Sequence, residues 1–155
     1  MYLAEYQVSF RDKVEKYELP EAQLEFTVHP AACITLSKED PSYHPVLVME
    51  KGELVTFFVL HGALGRARYS DNPRAILLRS LSTDQRFQRQ GYAKAAMQFI
   101  PDFVRANYPN MNEIVLAVNI RNQAAQSLYK ACGYVDKGVR QMGKNGELVI
   151  MHYYL

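Results

Sequence analysis

The sequence predicts a mixed α/β (α+β) fold, a central mixed sheet of about six to seven strands flanked by helices. Three observations predict it. Val46–Met49 and Leu54–Leu60 are β-rich runs joined by Glu50-Lys51-Gly52-Glu53, whose glycine supplies the positive φ of a tight hairpin turn. Ile76–Thr83 and Ile114–Val118 are apolar enough on both faces to be buried strands, and each leads into a segment with helical apolar spacing. Tyr134–Val139 and Leu148–Tyr154 close the chain as a second hairpin across Gly143-Lys144-Asn145-Gly146, with Asn-Gly as the turn.

The remaining elements follow in order. Tyr2, Ala4, Tyr6, Val8 and Phe10 alternate with polar residues and read as a first strand, although Leu3, Tyr6, Phe10, Val14 and Tyr17 also fit a helix. Ser9 with Asp12 resembles a capping box that would start a short helix through Tyr17, and Pro20 would start another over Glu21 to Val28. His29-Pro30 and Asp40-Pro41 bracket a stretch expected to be irregular, and His61 to Pro73 reads as a loop. Arg79 interrupts the apolar run of its strand, so one end of that strand is expected to be wet. In the helix from Tyr92, residues Ala93, Ala96, Met97, Ile100 and Val104 share one face, and Pro101 should kink the helix or start a second segment. Asn122 is a good N-cap for a helix whose inner stripe is Ala125, Leu128, Tyr129 and Cys132, stopped by Gly133.

At 155 residues and 17.8 kDa the chain is expected to be one domain over residues 1–155, able to bury a core without disulfides or metal. Hydrophobic residues at 48% and charged residues at 22% lie near globular averages, so a soluble protein is expected. No apolar run approaches the roughly 20 residues that span a bilayer. Met1-Tyr2-Leu3-Ala4-Glu5 has no basic flank leading into an apolar segment, which makes the cytoplasm the expected location. Cys33 and Cys132 lie far apart, without zinc-type spacing, and read as small buried hydrophobes. A net charge of +2 is too slight to imply nucleic acid. Basic residues gather only at Arg86, Arg89 and Lys94, a density suited to a small phosphorylated ligand rather than a polymer.

That density surrounds Gln88-Arg89-Gln90-Gly91-Tyr92-Ala93, which joins a buried strand to a helix. The first amides of a helix have no intrahelical partner, and the macrodipole adds roughly half a positive charge there, so an anion can settle. A glycine at the junction lets backbone approach the ligand closely. Taken alone, the hexapeptide is equally a turn before a surface helix.

The combination is more specific. Gln88-x-x-Gly91-x-Ala93 after a strand, then Asn122-x-x-Ala125-x-x-Leu128-Tyr129, then Gly133-Tyr134, resembles the GCN5-related N-acetyltransferase (GNAT) family over Leu81 to Tyr134, with the flanking elements matching in order. The resemblance implies a GNAT-type domain that takes acetyl-CoA as co-substrate and an amine as acceptor, without metal. Leu81, Ser82 and Thr83 would pair with the pantetheine arm through their backbone, and an N–H near Thr83 would polarise the thioester carbonyl. Gln88 opens the turn in which Arg89, Gln90, Gly91, Tyr92, Ala93 and Lys94 would wrap the pyrophosphate through backbone amides. Arg86, Arg89 and Lys94 are candidate charge partners for the phosphates, or a solvated basic face. Asn122 would bond the cofactor arm as well as cap its helix. Tyr129 would touch the cofactor and act as general acid toward the departing thiolate, or simply fill the helix stripe; with unperturbed pKa values that transfer is uphill by roughly 2 kcal/mol.

The general base is less defined. Ribosomal-protein acetyltransferases of the family carry a glutamate on the fifth strand where this chain has Ala117, so a base is sought among Glu50, His61, Asp84 and His152 or in a water relay. Arg121 and Lys130 are candidates for the adenosine 3′-phosphate. The acceptor is expected between the early helices and the final hairpin, near Tyr43, Tyr69, Tyr153 and Tyr154. A small amine such as a polyamine is the first expectation, although no acidic cluster accompanies it; a protein N-terminus or lysine is the second, and a non-catalytic acyl-CoA-binding module the third. The final hairpin offers a surface for a homodimer.

Overall fold

The computed structural model describes residues 1–155. Strands β1 (Tyr2–Glu5), β2 (Tyr43–Glu50), β3 (Glu53–His61), β4 (Ala75–Thr83), β5 (Glu113–Asn119), β6 (Val135–Gly143) and β7 (Gly146–Tyr154) form one sheet in the order β1-β2-β3-β4-β5-β7-β6. The helices are α1 (Arg11–Glu15), α2 (Glu21–Leu24), α3 (Pro30–Ser37), α4 (Ala63–Arg66), α5 (Tyr92–Asn107) and α6 (Gln123–Ala131). No helix is long and apolar enough to cross a membrane.

Both faces of the sheet are covered, which is why its central strands are apolar throughout rather than alternating. Along β2, Val46 and Val48 belong to the core under α5 and α6, whereas Leu47 and Met49 belong to the core under α1 and α3. On α5 the stripe expected from spacing is found: Ala96, Met97, Ile100 and Val104 are fully buried. On α6, Ala125, Leu128, Tyr129 and Cys132 pack against the same core.

The feature that makes a site is a split in the sheet. β4 and β5 are parallel and pair only through Ala75–Leu77 with Glu113–Val115. Beyond that point β4 follows β3 to Thr83 while β5 follows β7 to Asn119, so the strands part. A bulge accompanies the split. The β3–β4 register shifts so that Ser80 and Leu81 together oppose Phe58, with Ser80 at a φ of 57°. Such a bulge bends its strand and re-aims the side chains that follow.

Several local expectations are corrected. β1 ends at Glu5, and Val8–Phe10 form a 3₁₀ turn. α1 begins at Arg11 with no side-chain cap, so Ser9 and Asp12 do not form a capping box. α2 is a single turn after Pro20 and does not reach Val28. The stretch after His29 is helical, not irregular: Pro30 occupies the first turn, where its missing N–H costs nothing, and the His29 ring accepts from the Ala31 amide. α4 interrupts the loop after His61. α5 continues through Pro101, which is buried against the core, so packing of the apolar stripe outweighs the one ladder bond a proline removes. Gly143 pairs with Gly146, which makes Lys144-Asn145 the two-residue loop and leaves Gly146 in β7.

Candidate active site

Between the parted strands lies a cleft of about 820 Å³. Leu78–Thr83 form one wall, Leu116–Asn119 the other, and the N-terminus of α5, the inner stripe of α6 and the segments around α2 and the β6–β7 loop complete it. Of the residues singled out in the sequence, Leu81, Ser82, Thr83, Gln88, Arg89, Gly91, Tyr92, Ala93, Lys94, Asn122 and Tyr129 all line this cleft. Gln90 does not: the turn carries its side chain outside the lining, although its amide belongs to the same run.

The turn is built for an anion. Arg89 and Gly91 have φ values of 63° and 82°. This curls the chain so that no amide from Arg89 to Lys94 finds an intramolecular acceptor, and Gly91 instead offers its carbonyl to the Ala95 amide at 3.0 Å. Space around Gly91 is open, with nothing within 4 Å of where a Cβ would stand. Its glycine is therefore favoured by the left-handed backbone conformation and not by crowding. Six consecutive free donors at the head of a 16-residue helix form an anion nest. Gln88 anchors the turn to the strand through its side-chain amide, which donates to the Thr83 carbonyl at 3.2 Å.

Tyr129 faces the cleft with a hydroxyl that bonds no protein group, and burial pushes its pKa up to about 12. Its ring lies 6.2 Å from that of Tyr134, which is buried behind it. Asn122 caps α6, accepting from the Ala125 amide at 3.2 Å, and still lines the cleft. Ser82 and Thr83 have their side chains engaged, Ser82 with the Tyr17 hydroxyl at 2.9 Å and Thr83 with Thr56 at 3.1 Å. Their side chains are thus occupied within the protein, and what they leave available to the cleft is backbone.

Other candidates are placed elsewhere. Arg86 is not in the lining; it pairs with buried Asp84 at 2.8 Å. Arg121 pairs with Glu25 at 2.8 Å, and neither it nor Lys130 lines the cleft. Glu50, His61, Asp84 and His152 are also outside: Glu50 lies 3.6 Å from the N-terminal amine, His61 bonds Asp40 at 2.7 Å, and His152 bonds Glu113 at 2.7 Å. Ala117 is in the wall, so no carboxylate stands at that point of β5. Of the four tyrosines expected near the acceptor only Tyr69 lines the cleft; Tyr43 is buried under α3, Tyr153 packs on Tyr134, and Tyr154 stacks on His152. Residues missed in the sequence are Glu25, Phe26, Arg68, Arg79 and Lys144. Arg79 alone had a signal, as the charge that breaks an apolar strand.

Built around a parallel pair that splits, a bulge on β4 and a run of free amides at the head of α5, the chain belongs to the acetyltransferase (GNAT) family, whose profile matches residues 4–134. It is by that membership an acetyl-CoA-dependent N-acetyltransferase. Over 154 residues it is 36% identical to the uncharacterized N-acetyltransferase YbbJ of Bacillus subtilis (strain 168), covering 99% of this chain and 96% of that protein. The fold is shared with aminoglycoside acetyltransferase AAC(6′)-Ib, solved in complex with coenzyme A and kanamycin, at a TM-score of 0.77 and 15% identity over 98% of this chain and 93% of that one. It is shared too with a spermidine N-acetyltransferase SpeG chimera from Vibrio cholerae and hSSAT, at a TM-score of 0.69 and 16% identity over 99% and 96% of the two chains.

Proposed function

We propose that the cleft holds acetyl-CoA extended through the split sheet, with its diphosphate on the amides of Arg89–Lys94 and its pantetheine arm along Leu81–Thr83, and that a small primary amine attacks the thioester directly. The run of unpartnered amides carries this reading. Arg89 and Lys94 add charge at the same mouth, and Asn122 reaches the arm from the cap of α6. The amine nitrogen forms the new C–N bond, the C–S bond breaks, the amine proton leaves to water, and the thiolate departs as coenzyme A. Holding both reactants in one cleft supplies orientation, and backbone donors near Thr83 stabilise the developing oxyanion. Tyr129 donates a hydrogen bond to the leaving sulfur.

No wall residue is placed to take the amine proton: Glu25 is the only carboxylate lining the cleft, and Arg121 holds it. A water-borne proton exit is the consequence, and the acceptor must be neutral before attack. The same scarcity of acid weighs against a polyamine, whose second ammonium would find nothing to pair with. Calorimetric titration with acetyl-CoA tests the placement. Gly91→Glu should abolish binding by putting a carboxylate and its bulk where the diphosphate rests, and retained affinity refutes the assignment.

A further inference from the structure

At the acceptor end the cleft is cationic and unpaired. Arg68, Arg79 and Lys144 line it, none forms an ion pair, and the one acid there, Glu25, is engaged by Arg121 at 2.8 Å. Arg79 is the best defined of the three. It lies on the face of the sheet under α1 and α3, opposite α5, with its guanidinium 5.8 Å from the centre of the buried Tyr43 ring. Its Nη1 donates to His61 Nδ1 at 3.3 Å. With Nδ1 accepting, His61 donates from Nε2 to Asp40 at 2.7 Å, so the ring is held from both sides. Gly65 of α4 presses on that ring so closely that a Cβ there would sit 2.1 Å from Nδ1. An arginine at the end of such a chain is placed, not merely solvated, yet no carboxylate of the protein meets it. Arg68 is tethered as well, its carbonyl accepting from Gln141 of β6.

We infer that the acceptor is a small amine carrying its own anionic group, a carboxylate or a phosphate, and that Arg79, positioned by Asp40 and His61, binds that group with help from Arg68 and Lys144. A planar guanidinium offers two parallel donors to either anion. The cationic wall also disfavours an ammonium near it, which favours the neutral form of the attacking amine. This inference rests on the acetyl-transfer reading for which end of the cleft receives the acceptor.

The test uses protein saturated with coenzyme A, titrated calorimetrically with β-alanine, phosphoethanolamine, their anion-free counterparts propylamine and ethanolamine, and spermidine; thiol release from acetyl-CoA is followed with the same amines. The expected result is a preference of about tenfold or more for an anionic amine over its counterpart. Arg79→Leu should remove most of that preference with coenzyme A affinity unchanged, Arg79→Lys should restore part of it, and His61→Ala should reduce it by acting only through the position of Arg79. A stronger preference within the β-alanine pair marks a carboxylate, and within the phosphoethanolamine pair a phosphate; both support the inference. Equal binding of the paired amines, tighter binding of spermidine, or a preference that survives Arg79→Leu overturns it. Anion preference without thiol release from any amine contradicts acetyl transfer while leaving the anion subsite intact.

Discussion

Replacing Tyr129 by phenylalanine separates two roles for the phenol. Its pKa is pushed up to about 12 by burial. Full proton transfer to a thiolate near pKa 8.5 would then be uphill by about 3.5 pK units, or about 5 kcal/mol at 1.36 per unit, more than twice the roughly 2 kcal/mol for an unperturbed phenol. Burial thus makes Tyr129 a poorer acid but keeps it protonated, and so a dependable hydrogen-bond donor to the sulfur as charge develops. A hydrogen bond to a charged group is worth about 1.5–3 kcal/mol, so Tyr129→Phe should lower kcat by about 10- to 150-fold with acetyl-CoA affinity nearly unchanged. Steady-state kinetics from pH 6 to about 10, beside a calorimetric Kd, read both quantities. Because the phenol stays neutral below its raised pKa, the wild-type profile should rise as the amine deprotonates and show no falling limb from Tyr129 in that range. Unaltered kcat removes Tyr129 from the mechanism, and a falling limb near pH 8–9 that vanishes in Tyr129→Phe refutes the raised pKa.

Two further outcomes follow from the site's supports. Asn122→Ala removes the α6 cap and should cost about 1 kcal/mol in thermal or denaturant unfolding; an accompanying weakening of acetyl-CoA binding indicates contact with the cofactor arm, whereas a change in stability alone restricts Asn122 to capping. Asp84 is buried, which alone would raise its pKa, but the Arg86 guanidinium and the amides of Arg86 and Glu18 outweigh burial and hold it below the usual carboxylate value. With its folded pKa depressed, its contribution is present above the unfolded carboxylate pKa and is lost as pH falls through the folded one. Asp84→Asn should therefore destabilise by about 1–3 kcal/mol near neutral pH, with the difference from wild type shrinking below about pH 4 in urea titrations.

Much of the frame was legible because it rests on local chemistry. Lys51 and Gly52 both take positive φ in the β2–β3 turn, Asn122 caps α6, and Gly91 sits left-handed at the head of α5; each is a demand made by a few neighbouring residues. The miscast elements share the opposite property. Pro101 is tolerated because Ile100 and Val104 beside it pack into the core against distant strands, and α4 holds Gly65 against a His61 ring that Asp40 fixes from 21 residues away; both outcomes depend on tertiary packing that outweighs local breaker signals. The acceptor end was the least legible part. Glu25, Arg68, Arg79 and Lys144 come from four separate segments, brought together only by the split of β4 from β5 and by the Asn145 side chain reaching the Glu25 carbonyl at 3.0 Å. The cofactor end, by contrast, occupies one hexapeptide and one helix.

Everything proposed for the reaction depends on coenzyme A resting on the amides at the head of α5. Titration of ¹⁵N-labelled protein with coenzyme A, followed through its backbone amide resonances, measures this directly. The signals of Arg89 to Lys94 should shift downfield together and saturate with the calorimetric Kd, alongside those of Leu81–Thr83. Saturable binding that leaves Arg89 to Lys94 unmoved would contradict that placement.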